Sequence, residues 1–109
     1  GNCSSLPWVL YRLDERWELR KDLCDTPLSL NPSEYFLRQC FIATDVEEAL
    51  VADVVSRLGD DNIVISTDYP HADSRWPEAI DTFLRIEGLT EVSKRKIFWD
   101  NSARLYDLQ

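Results

Sequence analysis

The 109-residue sequence predicts an α/β fold built around a β-α-β unit. Two short apolar runs, CFIAT at residues 40–44 and NIVIST at residues 62–67, have the residue types of buried strands. The segment between them repeats apolar residues at three- and four-residue spacings, as an amphipathic helix does. We therefore expect two parallel strands joined by a right-handed crossover, with both faces of the strands covered.

The first helix is predicted to follow Ser4 and Ser5, whose hydroxyl groups can cap it. One face of this helix is apolar and is expected to face a core; it consists of Leu6, Val9, Leu10, Leu13 and Trp17. Residues 24–34 contain two prolines and several polar residues, which indicates a loop. Ser33 and Glu34 are then predicted to open a short helical turn before the first strand.

Asp45 and Glu48 stand in capping-box positions directly after the first strand. They predict a helix over residues 46–58, which Gly59 can end in the left-handed conformation. The same pattern explains Asp45 as a structural residue, so a catalytic role for it is the less favoured interpretation.

Two further helices are predicted after the second strand. Pro77 suits the first turn of one of them, and Thr90 begins another that runs through residue 99, with a last turn or two near the end of the chain. The basic run at residues 94–96 is interpreted as a solvated helix face. The four tryptophans are expected to pack in the core, with a place at a pocket mouth as the alternative for Trp8 or Trp76.

These elements amount to two strands with four or five helices. Each of the two apolar strands would keep an unpaired edge, which an independent small domain avoids. The sequence therefore predicts the end of a larger α/β protein, or a chain that pairs with itself or with a partner.

The composition argues against two classes of partner. Twenty acidic and twelve basic residues give a net charge of −8, which repels nucleic acid and anionic membranes. The apolar runs are too short to span a bilayer. Cys3, Cys24 and Cys40 are odd in number and form no C-x-x-C pair, so reduced thiols and a cytoplasmic location are predicted.

The candidate site lies where the second strand ends. Asp68 follows that strand directly, with Tyr69 and the only histidine of the chain, His71, beside it. In parallel α/β sheets, ligands bind at the carboxyl ends of strands, where a carboxylate can hold a metal or move a proton. The alternative is that Asp68 only caps the turn and that His71 is a solvated loop residue.

Four stretches together resemble a known family: LPWVLYRLDERWE, PSEYFLRQCF, DDNIVISTDYPHADS and KIFWDNSARLYDL. They are similar to the C-terminal third of the amidohydrolase-related metal-dependent hydrolases, which include aminocarboxymuconate-semialdehyde decarboxylase and the resorcylate decarboxylases. The resemblance implies that residues 1–109 are the C-terminal part of one (β/α)8, or TIM, barrel domain. Residues 40–44 and 62–67 would be its seventh and eighth strands.

The resemblance also implies roles for the site residues. Asp68 matches the family's aspartate after the eighth strand, a metal ligand or a hydrogen-bond partner of the metal-bound water, while Tyr69 and His71 become pocket residues. A divalent metal, zinc, is expected only if ligands from outside this chain are supplied. The family's H-x-H pair and its later metal-binding histidine have no counterpart in this sequence.

The expected function is therefore that of a C-terminal portion of a metal-dependent hydrolase, inactive as the isolated chain, that acts on a small molecule. Two alternatives remain open: a portion of a nonoxidative decarboxylase, and a noncatalytic module that associates with itself. The expected partner is the N-terminal portion of the barrel or a second copy of the chain.

Overall fold

The computed structural model describes residues 2–108 and confirms the α/β class. In chain order the elements are α1 (Leu6–Arg20), a 3₁₀ turn (Lys21–Leu23), α2 (Pro32–Gln39), β1 (Ile42–Asp45), α3 (Val51–Leu58), β2 (Ile63–Ser66), α4 (Ala79–Leu84), α5 (Glu91–Arg95), a π-helical turn (Lys96–Asp100) and α6 (Asn101–Leu105). The last three follow one another without a break. Within the described residues, no helix is both long enough and apolar enough to cross a membrane.

Strands β1 and β2 pair in parallel, with Ile42 opposite Ile63 and Asp45 opposite Ser66. Side chains alternate between the two faces of a strand, so one face of this pair carries the isoleucines that pack with the helices. Ala43 and Val64 alternate with them and are only partly buried. Among residues 2–108 the hydrophobic core therefore lies against one face of the strands, and Ala43 and Val64 on the other face lie outside it.

The core lies between this sheet face and the helices that follow each strand. Its centre combines aliphatic residues of α3 with Phe83 and with the π-helical turn, and its fully buried side chains include Cys3, Val46, Val51, Val54, Ile63, Phe83 and Ile97. Cys3, Cys24 and Cys40 are all free thiols.

Helix α3 begins five residues later than predicted, because residues 46–50 form turns rather than helix. The expected capping box is only half present: the Asp45 N–H donates to the Glu48 carboxylate at 3.3 Å. Gly59 ends the helix with φ 80° and ψ 179°. This is an extended conformation with positive φ, open essentially to glycine alone, rather than the left-handed helical one that was predicted.

Two burial predictions were wrong. The side chains of Trp8, Trp76 and Trp99 are 67%, 57% and 56% exposed, so these three tryptophans do not pack in the core. Conversely, Lys94 is buried, and its Nζ donates to the backbone oxygen of Leu84 at 2.7 Å. Residue spacing showed which residues share a helix face, but not whether that face meets another element.

Helix α1 also departs from the expected pattern. Ser5 precedes it without a capping side-chain hydrogen bond, and Val9 and Leu13 of its apolar face remain exposed. Helix α1 also binds the start of α2, because the N–H and Oγ of Ser33 donate to the Asp14 carboxylate at 2.8 and 2.5 Å. A carboxylate is favourable at that position because it faces the N–H groups of a helix start.

Two asparagines fasten the amino end of the sheet. The Nδ2 of Asn62 donates to the backbone oxygens of Leu37 and Cys40, each at 2.8 Å. The Nδ2 of Asn101 donates to the backbone oxygens of Asp60 and Ile63 at 2.6 and 2.7 Å. These bonds connect α2 and α6 to the segment that enters β2.

We predict that Asn101→Ala lowers the free energy of unfolding by about 2 to 4 kcal/mol, because it leaves two largely enclosed carbonyl oxygens without their donor. Urea unfolding followed by circular dichroism measures this change. The control is Ser102→Ala on the same helix, for which a loss below about 0.5 kcal/mol is expected. Equal losses in the two variants would contradict the assignment.

Candidate functional site at the carboxyl ends of the strands

The carboxyl ends of both strands open into one polar cavity. The parallel register sets Asp45 beside Ser66, and Asp68 follows two residues later. Together with Asn2 these residues line a cavity of about 210 Å³. The cavity therefore lies at the edge of the sheet where α/β proteins bind their ligands.

Asp68 has an unusual backbone conformation, with φ 55°. The turn after it is closed by its carbonyl oxygen, which accepts from the His71 N–H at 2.9 Å. Among residues 2–108 its carboxylate accepts no hydrogen bond, so the turn does not need the acidic side chain. A positive φ in a residue other than glycine costs about 1 kcal/mol or more and is found preferentially at functional sites.

The structure brings His71 close to Asp68, as the sequence predicted. A ring nitrogen of His71 and carboxylate oxygens of Asp68 and Asp73 all lie within 4.8 Å of one another, on exposed side chains. Tyr69 is placed differently. Its ring is 63% exposed and packs against Trp76, with the ring centroids 5.3 Å apart. Neither Tyr69 nor His71 is among the residues that line the cavity, and their expected place in a substrate pocket stays a prediction.

Asp45, which the sequence explained as a helix cap, lies at the cavity instead. Its carboxylate caps no helix, because α3 begins only at Val51, and Asp45 lines the cavity with Asp68 instead. The signal that could have revealed this was already present. If the two predicted strands are parallel neighbours, the acidic residues at their carboxyl ends must lie at one edge of the sheet.

The buried carboxylate of Glu48 binds two segments that line this cavity. Glu48 is only 7% exposed, and its carboxylate accepts from the backbone N–H groups of Cys3 at 3.0 Å and Ser4 at 2.5 Å. The hydroxyl groups of Ser4 and Thr44 also donate to it, the latter at 2.8 Å. One side chain thus joins the segment before α1 to the end of β1, and so places Asn2 and Asp45 at the same cavity.

These contacts change the acidity of two groups. Burial acts to raise the pKa of Glu48, but the hydrogen bonds from Ser4, Thr44 and the Cys3 backbone outweigh it, so the pKa lies below the ordinary glutamate value. Burial, and next the neighbouring Glu48 carboxylate, raise the pKa of the Cys3 thiol to about 11. Glu48 is therefore an anion at neutral pH, and Cys3 is an unreactive thiol.

A surface ion pair connects the loops that follow the two strands. The Nε of Arg75 donates to Glu47 at 2.6 Å, and both side chains are about half exposed. Such exposed pairs contribute little to stability. Its effect is local: it holds the loop that carries Asp68 and His71 over the turn that carries Glu48.

Asp68 is suited to hold a divalent metal ion. It offers a carboxylate oxygen, a ligand accepted by Mn²⁺, Zn²⁺ and Mg²⁺, and that oxygen is engaged by no donor among residues 2–108. His71 adds a nitrogen nearby. A catalytic metal needs about three protein ligands and an open position, so Asp68 could supply one ligand of such a set but not the whole of it.

The family model described as "Amidohydrolase" matches residues 5–108, and the chain therefore belongs to the amidohydrolase family. Its fold corresponds to part of the TIM-barrel fold of solved decarboxylases, as the resemblance implied. The assignment of β1 and β2 as the seventh and eighth strands stays a prediction.

Three relatives define the group more closely. A gamma-resorcylate decarboxylase from Polaromonas sp. (strain JS666) is 27% identical over 94% of this chain and 31% of its own length. The structure of 5-carboxyvanillate decarboxylase from Sphingomonas paucimobilis is 27% identical, with a TM-score of 0.78 over 96% of this chain and 31% of that chain. A dihydroxybenzoic acid decarboxylase from Polaromonas sp. JS666, with bound manganese and the inhibitor 2-nitroresorcinol, is 26% identical, with a TM-score of 0.72 over 95% and 31%. This chain spans about a third of the length of these relatives.

We predict that Glu48→Gln is destabilising at neutral pH, by about 2 kcal/mol or more, and that the difference from the original protein shrinks as the pH falls. The pKa of Glu48 is lower in the folded than in the unfolded chain. Its stabilising contribution is therefore present above the unfolded value of about 4.3 and is lost as the pH falls through the folded value.

Urea unfolding between pH 7 and pH 3 measures this difference, with Glu47→Gln as the exposed neighbouring control. A difference between the original protein and Glu48→Gln that stays constant over the whole pH range would contradict the assigned role of the charge.

Proposed function

We propose that this chain contributes Asp68 to the active site of a metal-dependent decarboxylase acting on a hydroxy-substituted aromatic carboxylic acid. The observation that carries the proposal is the Asp68 carboxylate, which borders the cavity at the strand ends and is engaged by no donor among the described residues. The names of the three relatives support the reaction class, because each is a decarboxylase of an aromatic acid with oxygen substituents.

In this proposal Asp68 holds a divalent metal ion. The structure of the Polaromonas relative contains manganese, which supports a divalent cation, whereas zinc remains a prediction from the resemblance alone. When bound, such an ion supplies positive charge that orients the anionic substrate and stabilises negative charge developing on it. The further ligands would come from other strands of the barrel.

The decarboxylation reaction requires little more than a metal ion and a proton donor. Decarboxylation breaks the bond between the ring carbon and the carboxyl carbon; the bonding electrons stay on the ring carbon, CO₂ leaves, and a proton takes its place. We assign the holding of that proton to Asp68. His71 lies beside Asp68 and is exposed, so it can exchange a proton between Asp68 and solvent.

The open face of the sheet supports a proposal about partners. Ala43 and Val64 lie on the face that points away from the hydrophobic core of residues 2–108, and their small side chains suit a barrel interior. We infer that other barrel strands cover this face, either from the same polypeptide or from another chain. A noncatalytic, self-associating role is the competing proposal. The same sheet face favours it, because a second copy of the chain could cover this face in place of other barrel strands.

Hydrolysis, the function expected from the resemblance, uses the same chemical groups as decarboxylation. A metal ion and a proton-transferring aspartate serve both reactions, and Asp68 fits either. The relatives named above favour decarboxylation, so the two reactions are best separated by assaying them in parallel.

We predict that Asp68→Asn lowers turnover of a dihydroxybenzoate by about a hundredfold or more, because asparagine neither carries the proton nor binds the metal as an anion. The assay measures CO₂ release. It uses the protein in the form in which the cell makes it, whether as this chain alone, as part of a longer polypeptide or in a complex with another chain. The matched control is Asp81→Asn on α4, an exposed aspartate that does not line the cavity, which should keep most of the activity. Full activity in Asp68→Asn would contradict the proposal that Asp68 takes part in catalysis.

We also predict that chelation removes the activity and that Mn²⁺ or Zn²⁺ restores it. Elemental analysis should find less metal in Asp68→Asn than in the original protein, which shows the ligand role independently of turnover. A protein that releases no CO₂ but cleaves an ester or amide in a metal-dependent way would replace the decarboxylase proposal with the hydrolase one.

A further inference from the structure

Residues 68–77, which lie between β2 and α4, form a surface segment that we call the β2 loop. Two turns shape it: the N–H of His71 donates to the Asp68 oxygen at 2.9 Å, and the N–H of Ser74 donates to the His71 oxygen at 3.1 Å. A further internal contact joins two aromatic rings whose centroids are 5.3 Å apart. Compact surface loops of this length that pack through their own side chains are frequently functional.

The β2 loop has little contact with the rest of the protein. Every residue in it is exposed except Ser74, which is partly buried. Within residues 2–108, its other hydrogen bonds are local, and only the bond from the Arg75 Nε to the Glu47 carboxylate, at 2.6 Å, reaches a distant segment. A segment with few buried contacts opens at a low cost compared with unfolding of the whole protein. The closed form of the β2 loop therefore depends on one ion pair.

The two ends of this ion pair are held differently. Glu47 lies between Val46, which is fully buried, and Glu48, whose carboxylate is fixed by the hydrogen bonds described above. Arg75 lies on the exposed loop. The hydrogen bond and the charge of Glu47, and to a smaller extent the charge of Asp45, raise the pKa of Arg75. The guanidinium group therefore lies near the fixed end of β1, beside the cavity.

Backbone strain in the β2 loop favours its opening. Asp68, at its start, has φ 55°, and the cost of this conformation is removed when the turn to His71 opens. Opening also takes His71 away from the Asp68 carboxylate, next to which the closed loop holds it. The Arg75–Glu47 pair opposes this strain, and an exposed ion pair is weak enough to break and form again readily.

We propose that the β2 loop is a lid and that the Arg75–Glu47 ion pair is the latch that keeps it closed. With the latch formed, the lid holds His71 beside Asp68 at the edge of the cavity. With the latch broken, the two turns come apart and His71 leaves that position. Arg75 is thus a positioning residue, which acts on His71 through the backbone of the loop. This motion is independent of the reaction proposed for the cavity.

Amide hydrogen exchange followed by NMR tests the latch, on the protein in the form in which the cell makes it. The N–H groups of His71 and Ser74 exchange when the turns open, so their rates measure the opening equilibrium. Arg75→Gln and Glu47→Gln should each raise both rates about two- to fivefold, the range expected for an exposed ion pair. The double variant should be no faster than either single variant, because both changes remove the same contact. Arg75→Lys, which keeps the charge, should restore most of the protection.

Two kinds of control separate the latch from a general loss of stability. The N–H groups of Ile42 and Gly59 are hydrogen-bonded outside the β2 loop, so their exchange rates should not change in any of these variants. Glu18→Gln, which breaks an exposed ion pair with Lys21 on another surface, should leave the exchange rates of the β2 loop unchanged.

Raising the NaCl concentration from about 0.05 M to about 1 M should speed exchange of the β2 loop in the original protein but not in Arg75→Gln, because salt screens an exposed pair. If His71 and Ser74 of the original protein exchange as fast as in an unfolded peptide, the lid is not closed and the proposal is overturned. It is also overturned if Arg75→Gln leaves both rates unchanged, if it speeds Ile42 and Gly59 equally, or if the effects of the two single variants add in the double variant.

Discussion

The carboxylate of Glu48 accepts hydrogen bonds from two segments that are far apart in sequence, the start of α1 and the end of β1. A buried anion is stable only when its oxygens are surrounded by donors, and here the donors are backbone N–H groups and hydroxyl groups rather than a counter-ion. Moving either segment would leave a charge buried without partners. The position of Asp45 and Asn2 at the cavity therefore follows from the burial of Glu48.

The two ends of the sheet are built for different purposes. At the amino end, Asn62 and Asn101 bind backbone oxygens, and Asp60 is paired with Lys96 at 2.8 Å, so the polar groups there are satisfied internally. At the carboxyl end, the carboxylate of Asp68 has no such partner among residues 2–108. In β/α folds the first arrangement serves stability and the second serves ligands, because an unsatisfied acceptor at a cavity is available to bind.

The sequence was informative where the signal was local. Apolar runs located both strands to within two residues, and the position of Asp68 after the second strand followed directly from them. The sequence did not reveal interactions between residues that are far apart along the chain. Glu48 was interpreted as a helix cap because its neighbours fit that motif, yet its hydrogen bonds to Cys3 and Ser4 cross more than forty residues of chain. Lys94 was taken as solvated for the same reason, since its partner, the Leu84 oxygen, lies on another element.

The sheet face with Ala43 and Val64 lies outside the hydrophobic core of residues 2–108 and carries small or short side chains, which allow a close and flat approach by further strands. Asp45 and Asp68 stand at the carboxyl edge of the same two strands. In a barrel of parallel strands the carboxyl ends of all strands meet at one edge. Strands that closed a barrel over Ala43 and Val64 would therefore bring their own carboxyl ends to Asp68, so the cover of this face and the further ligands of the proposed metal site would come from the same segments.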